Sequence, residues 1–136
     1  MRVAEQRIKT AVIGVGLIGE QHAEAFAANP RAELVVVCDA NPERAQAVAA
    51  RFGCAATSSL ADVAASDAEV VAIATPDFAH HEPAMAMLRA GKHLVIEKPL
   101  TTITAEGAEI VNLARQKGLK LTINLGNRWS PQFANI

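Results

Sequence analysis

With 136 residues, 51% of them hydrophobic, the chain can build one core and has little material for a second. Its 13 Lys and Arg against 14 Asp and Glu give a net charge of −1, and no basic cluster is interleaved with aromatics, so no nucleic-acid partner is expected. Residues 1–9 are charged and no later run approaches the roughly 20 apolar residues that span a bilayer; neither a signal peptide nor a membrane partner is expected, and a cytoplasmic location is.

Along the chain, residues 8–13 are apolar and β-branched enough for a strand buried on both faces, and they run into Gly14-Val15-Gly16-Leu17-Ile18-Gly19. An Ala-rich helix over 20–28 follows, so the three glycines sit at a strand-to-helix turn. There Gly14 allows a tight bend, Gly16 lets the backbone approach a pyrophosphate, and Gly19 lets the helix pack on its strand. The helix N-terminus offers the anion unpaired N–H groups, with Leu17 and Ile18 beside it. Three glycines alone are a weak signal, since glycine also punctuates ordinary turns. A second strand, Ala32–Cys38, ends at Asp39, which lies 20 positions after Gly19, where a ribose-binding carboxylate is expected in a dinucleotide fold.

Asn41-Pro42 reads as an N-cap and first helical residue, starting a helix through 50 or 51 that stops at Gly53. A short third strand at 54–56 is followed by a helix over 60–65 capped by Ser58 or Ser59. The apolar run 69–74 is a fourth strand that Thr75-Pro76-Asp77 ends sharply. A helix over 80–90 stops at Gly91, a fifth strand spans 93–96, and Glu97-Lys98-Pro99 comes next. A helix over 104–117 ends at Gly118, and 119–125 forms a sixth strand. The two cysteines, Cys38 and Cys54, match neither a CxxC pair nor a zinc pattern and read as buried free thiols. His80, His81 and Glu82 lack the i, i+4 spacing of a shared metal face, and no metal is expected.

Six strands separated by helices predict an α/β fold, a doubly wound parallel sheet of order 3-2-1-4-5-6. Residues 14–19, Asp39, 75–80 and 97–98 all follow C-terminal strand ends and should converge at the switch point between strands 1 and 4. After Leu125 the composition changes, with the only Trp and with Pro131, and residues 125–136 read as the start of a crossover leaving a dinucleotide-binding domain of residues 1–124.

The glycine turn, Asp39 with Asn41-Pro42-Glu43-Arg44-Ala45, the Ala74-Thr75-Pro76-Asp77-Phe78-Ala79-His80 segment, Ala90-Gly91-Lys92-His93 and above all Glu97-Lys98-Pro99 resemble the N-terminal half of the Gfo/Idh/MocA oxidoreductase family (glucose–fructose oxidoreductase, inositol dehydrogenase and relatives). The resemblance implies a Rossmann fold, an NAD(P) cofactor, a sugar, polyol or related substrate, a C-terminal α+β substrate domain absent from this chain, and a homo-oligomer for the full-length protein. By position, Lys98 matches the lysine that contacts substrate and cofactor and assists proton transfer, and Glu97 the neighbour that positions the cofactor near its ribose and nicotinamide. Thr75, Pro76 and His80 match residues lining the cofactor cleft, although Asp77 stands where Asn is common. Arg128 and Pro131 match a stretch at the domain junction, and Arg128 is carried over as a cofactor contact; Gly126 replaces what is often a bulkier residue. The Asp and His that complete catalysis in the family lie in the second domain, so these residues alone are expected to bind the cofactor without turnover.

A lysine that takes the hydroxyl proton needs its pKa lowered by burial, which a directly paired Glu97 would oppose; a charged Lys98 would instead hydrogen-bond the substrate oxygen. Both roles fit the sequence. Asp39 favours NAD, with NADP as the alternative, because a 2′-phosphate meets like charge there. Arg44 is read as lying on the solvated face of its helix, away from any phosphate. His22 is read as a helix residue near the turn or simply on the surface, and His93 as structural. The competing readings are a non-enzymatic NAD(P)-sensing module of the same fold and a methyltransferase-like domain for another adenine nucleotide, the latter disfavoured by Glu97-Lys98-Pro99 and the Asp39 spacing.

Overall fold

The computed structural model describes residues 6–133. In chain order it contains β1 (Ile8–Ile13), α1 (Leu17–Ala28), β2 (Ala32–Cys38), α2 (Pro42–Phe52), β3 (Ala55–Thr57), α3 (Leu60–Ala65), β4 (Val70–Ile73), α4 (His81–Arg89), β5 (His93–Glu97), α5 (Thr104–Gln116) and β6 (Leu121–Asn124). Single 3-10 turns at Asp77–Ala79 and Gly126–Trp129 follow β4 and β6. All six strands are parallel and lie in the order β3-β2-β1-β4-β5-β6. Among the described residues no helix is long and apolar enough to cross a membrane.

Two apolar layers sandwich the sheet. Ala11, Ile13, Val71, Ile73, Leu94 and Ile96 point to one face, where Met87, Leu88 and Ile110 of α4 and α5 cover them. Val12, Val37 and Ala72 point to the other, under Ala23 of α1 and Val48 and Ala49 of α2, with Val95 packed against that cluster. The alternation along β5 therefore sends Leu94 and Ile96 one way and Val95 the other, and by the same period Glu97 emerges on the α1 side. Cys38 is buried and Cys54 partly so, both free, and burial pushes the Cys38 thiol up to about 11.

Several element ends depart from the sequence reading for local reasons. Helix α1 opens at Leu17, not at residue 20, because Gly16 takes the N-cap position and its carbonyl already accepts the first helical bond, from Glu20 N–H at 2.9 Å. Gly19 therefore lies inside the first turn. Asn41 caps α2 as expected, its side chain accepting from the Glu43 and Arg44 N–H groups at 3.0 and 3.3 Å. Ser59 stands at the N-cap of α3 without a capping bond; its own N–H donates to the Thr57 hydroxyl instead. Residue 54 is lost to β3 because the Cys54 N–H closes the end of α2 on Ala49 O, at 3.2 Å. The sixth strand starts at Leu121, not at 119, because the Leu119 N–H turns back to Ala114 O at the left-handed Gly118 that ends α5.

Candidate functional site

The strand ends open onto a cleft of about 580 Å³ that runs from Asp39 and Arg44 on one side, past Gly14, Gly16, Leu17 and Ile18, to Thr75 and Pro76 on the other. Three of the four loops expected to meet therefore line one cavity. Ser58, Leu60, Glu82 and Pro83 also line it, residues that the sequence reading did not assign to a site.

The three glycines do different work. Gly14 has φ +83°, and a Cβ there would lie 2.7 Å from Thr75 N, so both the backbone angle and the β4 loop require glycine. A Cβ on Gly19 would lie 1.7 Å from Gly14 O, so the turn packs directly on the helix. Gly16 differs: a Cβ there would meet nothing within 4 Å, so no protein atom accounts for its missing side chain. Gly16 also caps α1 without a side-chain acceptor, leaving the N–H groups ahead of Glu20 without a cap where Gly16, Leu17 and Ile18 line the cleft.

Asp39 is only 7% exposed. Its Oδ2 accepts the Val15 N–H and its Oδ1 the Asn41 N–H, each at 2.9 Å, so the carboxylate braces the glycine turn against the start of α2. Arg44 does not point away from the site as read from the sequence. It lines the cleft with Nη1 3.4 Å from Asp39 Oδ2, because the Asn41 cap and Pro42 start the helix at once and bring its first turn back over Asp39.

His80 lies behind the cleft wall and is not among the residues that line it. At 1% exposure its ring bonds Thr75 O through Nε2 and lies 2.9 Å from Pro99 O through Nδ1, tying the β4 loop to the β5 loop. Its neighbour Thr75 donates its hydroxyl to Ala79 O at 2.9 Å, which closes the 3-10 turn before α4.

Glu97 ends β5 and Lys98 follows it, both outside the lining of this cleft. Glu97 does not pair with Lys98: its Oε1 accepts from Asn124 Nδ2 at 2.6 Å and from His22 Nε2 at 2.7 Å. Burial works against the charged carboxylate, but those two hydrogen bonds and the His22 charge outweigh it and hold the group below its ordinary pKa. Lys98 is exposed, and its ammonium has no internal partner among the described residues. Arg128 is exposed beyond β6, beside Leu100, Leu121 and Leu125, so it stands apart from the cleft around the glycine turn. Among the described residues no group of three His, Cys, Asp or Glu is placed to hold a metal ion.

The sequence profile described as "Oxidoreductase family, NAD-binding Rossmann fold" (GFO_IDH_MocA) matches residues 8–125, nearly the whole chain. The chain belongs to that family. It is 38% identical over 124 residues to UDP-N-acetylglucosamine 3-dehydrogenase of Acidithiobacillus ferrooxidans, covering 91% of this chain and 39% of the relative. It is 33% identical over 131 residues to the NADP(+)-linked scyllo-inositol 2-dehydrogenase IolU of Bacillus subtilis, covering 95% of this chain and 40% of that protein. Among solved structures, GenD2 from gentamicin A biosynthesis in complex with NAD superposes with a TM-score of 0.92 at 30% identity, over 98% of this chain and 38% of that one. The chain thus spans about two-fifths of the length of the relatives it matches, and within the family it is an NAD-binding Rossmann domain.

Proposed function

We propose that this chain is the cofactor-binding part of an NAD(P)-linked oxidoreductase that moves a hydride between nicotinamide and a hydroxyl or keto carbon of a sugar, polyol or related compound. The observation that carries the reading is Gly16, whose absent side chain faces open space beside an uncapped helix N-terminus. A turn that needed glycine only for its own fold would show a left-handed φ or a close contact there, as Gly14 and Gly19 do, whereas Gly16 has φ −68° and neither. Oxygens of a diphosphate approaching Gly16 would receive the α1 N–H groups. Asp39, braced by the Val15 and Asn41 N–H groups, faces the cleft where ribose hydroxyls can donate to it.

The bound nicotinamide supplies the hydride chemistry, which no side chain here can perform. Lys98, exposed and without an internal partner among the described residues, hydrogen-bonds the reacting oxygen and stabilises negative charge developing there. The chain aligns with about two-fifths of its relatives, and substrate selection, the rest of the proton path and the oligomer contacts are assigned to the remainder of such an enzyme.

NAD is the preferred cofactor. The Asp39 carboxylate repels a 2′-phosphate, and Arg44, 3.4 Å away, tempers that repulsion without removing it. Calorimetric titration of the chain with NAD and NADP tests both points. Saturable binding with NAD the tighter is expected; no binding of either removes the cofactor reading, and equal affinities remove the preference. In a complete enzyme Lys98→Ala should lower kcat far more than it weakens NAD binding, and an unchanged kcat would take Lys98 out of the chemistry.

A further inference from the structure

One carboxylate oxygen gathers three elements. Glu97 is the last residue of β5, and Asn124 is its register partner on β6. His22 lies on α1 three positions beyond Gly19, less than one helical turn. Both side chains bond Glu97 Oε1, and the His22 and Glu97 side chains are only 16% and 13% exposed. An acidic residue next to an exposed lysine at a strand end would be free to swing toward it; here two shielded donors hold it away.

The topology says which end of a bound dinucleotide this cluster would serve. Asp39 ends β2, and the order β2-β1-β4-β5 puts Glu97 three strand spacings away, roughly 14 Å, across the switch point from the adenosine side. With a diphosphate on the α1 N-terminus between them, the half that reaches toward β5 is the nicotinamide half. We propose that His22 and Asn124 are positioning residues: they clamp Glu97 between α1 and β6, and thereby fix the Glu97-Lys98 loop where it meets the nicotinamide half of the cofactor. The inference rests on the cofactor reading above and adds the clamp to it. Because His22 stands on the helix whose N-terminus receives the diphosphate, the clamp also ties the anchoring point of the cofactor to the loop that bears Lys98.

The test compares NAD with ADP-ribose, which keeps the adenosine and diphosphate but lacks the nicotinamide. The wild-type chain and the variants His22→Phe, His22→Gln and Asn124→Leu are titrated calorimetrically with both. Wild type should bind NAD more tightly than ADP-ribose. His22→Phe and Asn124→Leu should each weaken NAD by about threefold to tenfold, the worth of one hydrogen bond, and leave ADP-ribose within about twofold. His22→Gln, whose amide can still donate to Glu97, should restore most of the NAD affinity. A purely structural role would weaken both ligands together, and that result overturns the proposal. So do unchanged NAD affinities in both variants, equal wild-type affinities for the two ligands, or a Gln variant as weak as Phe. If His22→Phe does not fold, Asn124→Leu on the edge strand carries the same comparison. Failure of wild type to bind either ligand is a different result, which brings down the cofactor reading and this inference with it.

Discussion

The two ends of the sheet handle their polar groups in opposite ways. At the end where β4 and β5 begin, Lys92 is 6% exposed and its ammonium donates to Ser66 O and Ala68 O, both at 2.8 Å, so a buried cation and two carbonyls satisfy each other. Burial lowers the Lys92 pKa, and the two carbonyls take up its ammonium from inside the fold. At the other end Gly16 leaves space no protein atom fills, α1 begins uncapped, and Lys98 has no internal partner among the described residues. Hydrogen-bonding capacity that the fold does not use marks the end where a ligand belongs, and capacity used internally marks the end that only holds the fold together.

Substitutions can break that contrast. The largest effect is expected for Gly19→Ala, whose new methyl would collide with Gly14 O: denaturant unfolding should show a loss of about 3 kcal/mol or more. Gly16→Ala, three residues earlier, should change stability by less than about 0.5 kcal/mol while weakening NAD at least tenfold by calorimetry; a stability loss like that of Gly19→Ala would erase the distinction between them. At the opposite end Lys92→Met strands two carbonyls and should cost about 2 kcal/mol of stability with NAD affinity unchanged, as measured by paired unfolding and binding titrations. Asp39→Ala should loosen NAD by roughly tenfold, since it removes a ribose acceptor and the brace on Val15.

The smallest effect is one of pH. The folded Glu97 pKa lies below its ordinary 4.5, so the clamp adds stability above about pH 4.5, and that contribution is lost as pH falls through the folded value. Unfolding free energies measured from about pH 6 to about pH 3 should fall less steeply for Asn124→Leu than for wild type; parallel curves would mean that the clamp contributes nothing.

The fold was legible in the sequence because its signals are local. β-branched runs, the Asn41-Pro42 cap and the glycine stops place every strand and helix, the connection lengths imply parallel strands, and right-handed crossovers in two mononucleotide-binding halves give the order that the structure has. Boundaries moved where a backbone N–H had two acceptors to choose from, as at Cys54 and Leu119. The cleft was legible where a motif fixes the backbone itself, as at Gly14, Gly16 and Asp39, which line one cavity. It was not where side chains meet across elements. His22 and Asn124 are 102 positions apart and share one oxygen of Glu97, which no spacing rule reveals. His80 fits a cleft motif by position, but folding turns its ring inward to two loop carbonyls. Arg44 follows from its helix only once the capped first turn is seen to return over Asp39.

The most direct test follows backbone amide resonances of the labelled chain as NAD is added. The largest shifts are expected on residues 14–19 and around Asp39, with none at Ser66, Ala68 or Lys92. Shifts centred on the Lys92 end of the sheet, or no saturable shifts at all, would contradict the cofactor reading.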